Sequence, residues 1–324
     1  MQTSRIIFFS TPEFGVPTLK ALHESEFDIV LVVTQPDRKK GRGRKTIAPP
    51  VKEKAFEYGY DLFQPESVKT RETFDYLSSY HPDFFVVVAY GHVLPRKVLD
   101  IPKKAAVNIH GSLLPKYRGP APIHRAVING EKETGITTML MEEGLDTGDM
   151  LLSAETAITD EDTTETLHDR LAKIGADLLI ETLRKWNDGK IHPTPQDEAK
   201  ATYAPMLKKE EGLIDWTLPA ENLGRFIRGM TPWPGAYSFL EGKRFKIWMA
   251  KPEPTITSAN DTLNITPGTV LEGYQDEIRI RTGFGDLVIE EIQAEGGKRL
   301  KIRDFLKGRS IFPGVCFGGH GEIA

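Results

Sequence analysis

Cysteine is almost missing from this chain. The single Cys316 excludes an internal disulfide framework and fits a reducing compartment. Long hydrophobic runs are missing too. The longest, residues 84–90, has the length of a strand and is far too short to span a bilayer. Met1-Gln2-Thr3-Ser4-Arg5 leads straight into a strand-like run and lacks the pattern of a signal peptide, so a cytoplasmic protein is expected. There is no excess of positive charge. The formal net charge is −4, so a nucleic-acid partner must be met by a local patch and not by the field of the whole chain. No Cys, His and carboxylate cluster has zinc spacing, and no metal is expected. The turn after the first strand is not G-x-G-x-x-G, so a dinucleotide is not indicated. Repeats and low-complexity tracts are also lacking.

What is there suggests two domains, since 324 residues exceed one ordinary core. Continuous apolar runs at 5–10, 28–34 and 84–90 read as strands buried on both faces. Helical stretches at 16–24, 49–58 and 70–80 separate them. This alternation predicts a doubly wound, Rossmann-like α/β domain over 1–192. Ligands of such sheets bind at the carboxyl ends of strands, here the loops after Ser10, Tyr90, Ile109 and Met141. Leu167, Leu171, Ile174 and Leu178 recur at helical spacing and mark a core-facing stripe on a long helix from Thr163. Residues 193–211 turn polar and proline-bearing and read as a linker. Over 212–324 a short helix and five strand-like segments, 237–240, 244–250, 268–272, 278–282 and 286–293, predict a small OB-like barrel.

Chemistry concentrates in Val107-Asn108-Ile109-His110-Gly111-Ser112-Leu113-Leu114-Pro115. Residues two apart on a strand share a face, so Asn108 and His110 point one way and Val107 and Ile109 the other. An amide and an imidazole at the mouth of a strand can hold a carbonyl whose oxygen is becoming negative. The imidazole can also move a proton near neutral pH. The usual third member is a carboxylate. Asp146, in the turn Gly144-Leu145-Asp146-Thr147-Gly148-Asp149 after another strand-like run, is the candidate. Each residue alone also fits a structural role: a capping Asn, a core His, a turn Asp. No Ser or Cys nucleophile accompanies the trio in a strained elbow, which favours direct transfer to an incoming amine over an acyl-enzyme.

A second stretch stands out by charge. Arg38-Lys39-Lys40-Gly41-Arg42-Gly43-Arg44-Lys45 holds six cations and two glycines in eight residues, with no apolar anchor. It reads as a mobile loop at the carboxyl end of a strand. Its charge suits phosphate contacts in a nucleic acid, though a solvated loop has the same composition. Cations of the second domain, among them Arg244, Lys246, Arg299 and Lys301, either share a face or scatter.

The motif Asn-x-His-x-Ser-Leu-Leu-Pro at 108–115, followed by Gly-Leu-Asp-Thr-Gly-Asp at 144–149, resembles the formyltransferase family that uses 10-formyltetrahydrofolate. The resemblance extends to the basic stretch around Arg42 and to Arg303-Asp304-Phe305-Leu306 with Pro313-Gly314 near the end. It implies Asn108, His110 and Asp146 as catalytic residues, and 10-formyltetrahydrofolate as formyl donor. It implies folate contacts at Ser112, Leu113, Leu114 and Pro115, with Tyr90 and Glu142 beside them. His92 stands where the family pattern has an aliphatic residue. The resemblance further implies methionyl initiator tRNA as acceptor, met by Lys40, Arg42, Arg44 and Lys45 and by the second domain. Phe14 is expected near the methionine side chain. The protein is expected to act as a monomer, without a membrane.

Overall fold

The structure is a computed structural model and describes residues 3–40, 45–254, 265–272 and 276–318. The chain divides into two compact units that do not follow each other in sequence. The first takes in residues to Pro122, Glu133–Ala157 and His168–Ala204; the second takes in Ile123–Lys132, Ile158–Leu167 and Pro205 onward.

The first unit is built on one sheet. Its strands are β1 (Arg5–Ser10), β2 (Asp28–Val33), β5 (Leu62–Phe63), β6 (Phe84–Val88), β7 (Ala105–His110), β8 (Glu133–Leu140) and β9 (Met150–Ala157). Their order across the sheet is β5-β2-β1-β6-β7-β8-β9. Pairing is parallel from β5 to β7, then antiparallel through β8 and β9. The apolar runs form the central strands because both faces are covered: Ile6, Ile7, Phe8, Phe9, Phe84, Phe85 and Val86 are all fully buried. Helices α1 (Val16–His23), α2 (Pro50–Glu57), α3 (Arg71–Ser79) and α4 (Arg96–Leu99) join the parallel strands. Leu77 of α3 and Val98 of α4 pack in one cluster with Ile7, Phe9, Leu31 and Phe85. The long helix α6 (Thr164–Asn187) crosses β7 and β8. It comes so close that a Cβ on Gly175 would stand 3.0 Å from Ile109 Cγ2. Thr182 on α6 meets Thr138 on β8 through a buried hydroxyl pair at 2.9 Å. Strand order reverses between β1 and β6, so the loops after those strands flank the crevice in which such sheets bind ligands.

The two ends of the basic stretch depart from the expected mobile loop, and its middle, residues 41–44, lies outside the described residues. Short strands β3 (Arg38–Lys40) and β4 (Lys45–Ile47) pair antiparallel and flank it as a hairpin. Backbone pairing needs no apolar anchor, which is why a charge count gave no sign of it.

The second unit carries α5 (Pro122–Asn129) from Ile123 onward, the helix α7 (Ala220–Met230), and a curled antiparallel sheet. The sheet runs β10 (Ala236–Leu240), β11 (Lys243–Glu253), β13 (Asp286–Ala294) and β12 (Ile278–Arg281), with β14 (Leu300–Lys301) also on β13. Register shifts near Met249 bend β11, as bulges do, and help the sheet curl. Ile247, Ile280, Leu287, Ile289 and Ile292 are fully buried on its inner side. The segment expected as a strand at 268–272 contributes only isolated bridges at Thr269 and Val270. A closing helix, α8 (Ile302–Gly308), buries Ile302 and Phe305.

The stretch expected as a linker is structured in part. Residues 194–204 belong to the first unit and are tied to it by backbone hydrogen bonds: Thr194 with Met150, Thr202 with Pro115 and Arg118, and Ala204 with Arg118 and Ala121. The segment has no apolar periodicity because hydrogen bonds, not burial, keep it in place.

Candidate active site

β7 delivers Asn108 and His110 to the carboxyl edge of the sheet. Asn108 lies between Val87 of β6 and Met139 of β8, and His110 lies beside Thr137. Val107 and Ile109 are buried, as the alternation requires, while Asn108 is half-buried. Among the described residues the Asn108 carboxamide has no hydrogen-bond partner, so its donors remain available. His110 is only 6% exposed. Its Nε2 lies 2.9 Å from the Tyr117 carbonyl. A carbonyl can only accept, so Nε2 carries the hydrogen. The other ring nitrogen, Nδ1, stands 3.6 Å from Asp146 Oδ2. This is ion-pair range, longer than a hydrogen bond. The Tyr117 carbonyl, and not Asp146, therefore sets the ring's tautomer.

Asp146 comes from the turn between β8 and β9, at φ 53°, a left-handed conformation that a short polar side chain tolerates. Gly148 is required two residues on, since a Cβ there would lie 1.9 Å from the Leu140 carbonyl oxygen. The carboxylate Oδ2 accepts the backbone N–H of Gly119 at 2.8 Å. Gly119 itself sits at φ 113°, with the Ala204 carbonyl where a side chain would begin.

Ser112 is fully buried and its hydroxyl donates to the Lys116 carbonyl at 2.6 Å. Thr137 Oγ1 stitches the following loop to β8. It donates to the Ser112 carbonyl at 2.8 Å and accepts the Leu114 N–H at 3.1 Å. The Leu113 and Pro115 carbonyls accept from Lys116 and Thr202. Among the described residues this leaves the Leu113 N–H and the Leu114 carbonyl without a partner in the chain. Leu113 and Pro115 are half-buried, and Leu114 is buried.

The other candidates stand as follows. Tyr90 is 2% exposed, and its ring packs in the core against Phe9. Burial pushes its hydroxyl up to about 12. Its carbonyl accepts from Gln35 Nε2 at 2.8 Å and Thr11 Oγ1 at 3.3 Å and so ties the crevice loops together, while its buried hydroxyl has no hydrogen-bond partner among the described residues. His92 is half-buried, edge-on to Tyr90. Glu142 is exposed on the Asp146 turn. Phe14 is buried, its ring 5.0 Å from that of His168. Lys40 and Lys45 lie on the β3–β4 hairpin, whereas Arg42 and Arg44 fall outside the described residues. The cleft of about 580 Å³ lined by Phe74, Ser78, His81, Lys97 and Ile101 opens at the amino ends of β6 and β7, the edge opposite His110. Among the described residues no group of His, Cys, Asp and Glu side chains could hold a metal ion, and no helix is long and apolar enough to cross a membrane.

Sequence reasoning missed Tyr117, Arg118, Gln196, Glu198 and Thr202. Arg118 is fully buried, with Nη2 2.7 Å from Glu198 Oε1 and Nε 2.9 Å from Gln196 Oε1. Gln196 Nε2 donates at 2.8 Å to both the Asp146 and Gly148 carbonyls. Thr202 Oγ1 accepts the Tyr117 N–H at 2.8 Å. A buried cation needs a partner, but nothing in the sequence says which of 46 carboxylates answers Arg118.

Two family models match the chain: formyl transferase over residues 4–183, and formyl transferase, C-terminal domain, over 206–310. A methionyl-tRNA formyltransferase of Caldanaerobacter subterraneus subsp. tengcongensis is 50% identical over 312 residues, covering 96% of this chain and 99% of the relative. One from Citrifermentans bemidjiense is 48% identical over 318 residues, covering 98% of each. Among solved structures, an N-formyltransferase from Helicobacter canadensis, in complex with folinic acid and dTDP-3-aminofucose, superposes with a TM-score of 0.65 at 16% identity. The match covers 92% of this chain and 100% of that one, and the likeness is one of fold.

Proposed function

The chain belongs to the formyl transferase family, and from that premise we propose that it transfers the formyl group of 10-formyltetrahydrofolate to the α-amine of methionyl initiator tRNA. The product is formylmethionyl-tRNA, used to begin translation. The observation that carries this reading is the Asn108 carboxamide, without a partner among the described residues, beside a buried His110 faced by Asp146. An amide donor next to an oriented imidazole suits a carbonyl carbon attacked by an amine.

The donor supplies a formyl carbon attached to a nitrogen that departs as a stabilised amine. The residues of the 112–115 loop fit it through their main chain. Among the described residues the Leu113 N–H and the Leu114 carbonyl are free to pair with a flat heterocycle, and Leu113 and Pro115 offer partly exposed apolar surface. The Ser112 hydroxyl is already engaged with Lys116. Asn108 donates a hydrogen bond to the oxygen that gains negative charge. His110 keeps its Nε2 hydrogen on the Tyr117 carbonyl; at Nδ1 it takes up the proton that the attacking amine loses and returns it to the folate nitrogen as the bond from that nitrogen to the formyl carbon breaks, with Asp146 stabilising the charged ring in between. A shift of ~0.5 Å brings that pair into hydrogen-bond range. Lys40, Arg42, Arg44 and Lys45 contact the tRNA backbone, and Phe14 lies toward the methionine side chain.

The test is incubation of the purified protein with the formyl donor and charged initiator tRNA, with formyl-methionine read by mass. A dTDP-linked amino sugar serves as the control acceptor. Formylation of the sugar and not of methionyl-tRNA would overturn the proposal.

A further inference from the structure

Three residues outside the trio, Tyr117, Arg118 and Gln196, close a ring through His110 and Asp146. From His110 the ring passes through Nε2 to the Tyr117 carbonyl at 2.9 Å and along the backbone to Arg118. From Arg118 Nε it passes to Gln196 Oε1 at 2.9 Å, and from Gln196 Nε2 to the Asp146 carbonyl at 2.8 Å. Asp146 then faces His110 again at 3.6 Å. A second strut runs inside the ring, from Gly119 N–H to Asp146 Oδ2 at 2.8 Å. The residues flanking Arg118 thus hold the two catalytic side chains, one by a carbonyl and one by an N–H. Arg118 fixes their spacing.

We propose that Arg118 and Gln196 are positioning residues that set the Asp146 carboxylate against the His110 imidazole. The inference rests on the formyl-transfer reading of that pair. Gln196 uses all of its polar capacity in the task. Its oxygen accepts from Arg118, and both amide hydrogens go to main-chain carbonyls of the Asp146 turn, at residues 146 and 148. That turn holds Asp146 at φ 53°, a left-handed conformation that Asp tolerates and that the two bonds from Gln196 help to keep. Arg118 is fully buried, and a guanidinium with no exposure must be fixed by its partners. Glu198 takes Nη1 and Nη2 at 3.0 and 2.7 Å, which leaves Nε to orient Gln196. Neither side chain contacts a reacting atom, so their effect is carried by Asp146 and His110.

Gln196→Glu tests this with almost no change of shape. The carboxylate keeps Arg118 as a partner but can no longer donate to the two carbonyls, and it repels them. The expected result is a kcat lower by roughly ten- to a hundredfold, the scale of a sub-ångström to ångström misplacement. KM for donor and for tRNA should stay within about twofold, since neither is bound by Gln196. In the free protein the His110 ring nitrogen signals, assigned by their loss in His110→Gln, should move, with Tm nearly unchanged. Arg118→Lys, which cannot span Gln196 and Glu198 at once, should act in the same direction. Wild-type kcat and unmoved His110 signals in both variants would overturn the proposal. So would a loss of kcat matched by a fall in Tm and a rise in KM, which marks plain destabilisation. The nitrogen signals are read without formyl transfer. An inactive wild type would therefore count against the functional reading, while the ring would still be judged by the spectra.

Discussion

Asp146 Oδ2 stands 3.6 Å from His110 Nδ1 and is held there by the Gly119 N–H at 2.8 Å. The carboxylate therefore keeps its place whether or not the ring is charged, and it can stabilise the imidazolium at small cost in reorganisation. His110→Ala and Asp146→Asn should each lower kcat/KM for formylation by about a hundredfold to ten-thousandfold. Circular dichroism should show both variants folded. Near-normal turnover by folded His110→Ala is incompatible with the proposed chemistry.

The 112–115 loop owes its shape to Thr137 more than to Ser112. Ser112→Ala removes one internal hydrogen bond and should cost about 1 kcal/mol of stability, with donor affinity almost unaffected. Thr137→Val leaves the Ser112 carbonyl and the Leu114 N–H without partners, at about 2 kcal/mol or more. It should also weaken donor binding, because the loop's free main-chain groups lose their alignment. Calorimetric titration with the folate decides. An equal, large loss of affinity in Ser112→Ala would make its hydroxyl a direct contact.

The basic stretch is tested through salt. Arg42, between two glycines, carries a planar guanidinium suited to phosphate or a base edge. Arg42→Ala should lower kcat/KM on charged initiator tRNA and flatten its log–log salt dependence by roughly one unit, leaving folate affinity intact. Equal efficiency and slope in wild type and variant would reduce the stretch to solvated surface.

Glu26 gives a pH-dependent stability prediction. The Arg184 guanidinium, hydrogen-bonded at 2.8 Å, lowers the Glu26 carboxyl from 4.5 to about 2. A depressed carboxyl stabilises the fold above the unfolded value of 4.5, and the gain is lost as pH falls toward 2. Both side chains are more than half exposed, so solvent screening keeps the gain under ~1 kcal/mol. Denaturant unfolding of Glu26→Gln should show a small deficit at neutral pH that disappears across this acid window. A deficit that grows on acidification would contradict the assignment.

The sequence by itself determined the strands of the sheet and the shared face of Asn108 and His110. Apolar runs such as 84–88 must be covered on both faces, and strand alternation alone puts Asn108 and His110 on one side at a carboxyl edge. It also singled out Asp146, because a glycine-rich turn marks itself by composition. Only the tertiary structure decided what holds these groups. Tyr117 acts through its carbonyl, Gly119 through its N–H, and Gln196 through an amide 50 residues from Asp146. Main-chain groups are the same in every residue, so their use leaves no mark in a sequence. The strap at 194–204 reads in sequence as part of a linker for the same reason: its order comes from hydrogen bonds to distant backbone, whereas periodicity reports only apolar burial. Tyr90 shows the converse. Its place at a strand end suggested a ligand contact, but packing turned its ring into the core and gave its carbonyl to Gln35 and Thr11. A strand end fixes where a residue stands, while its neighbours in space decide which of its atoms remain free.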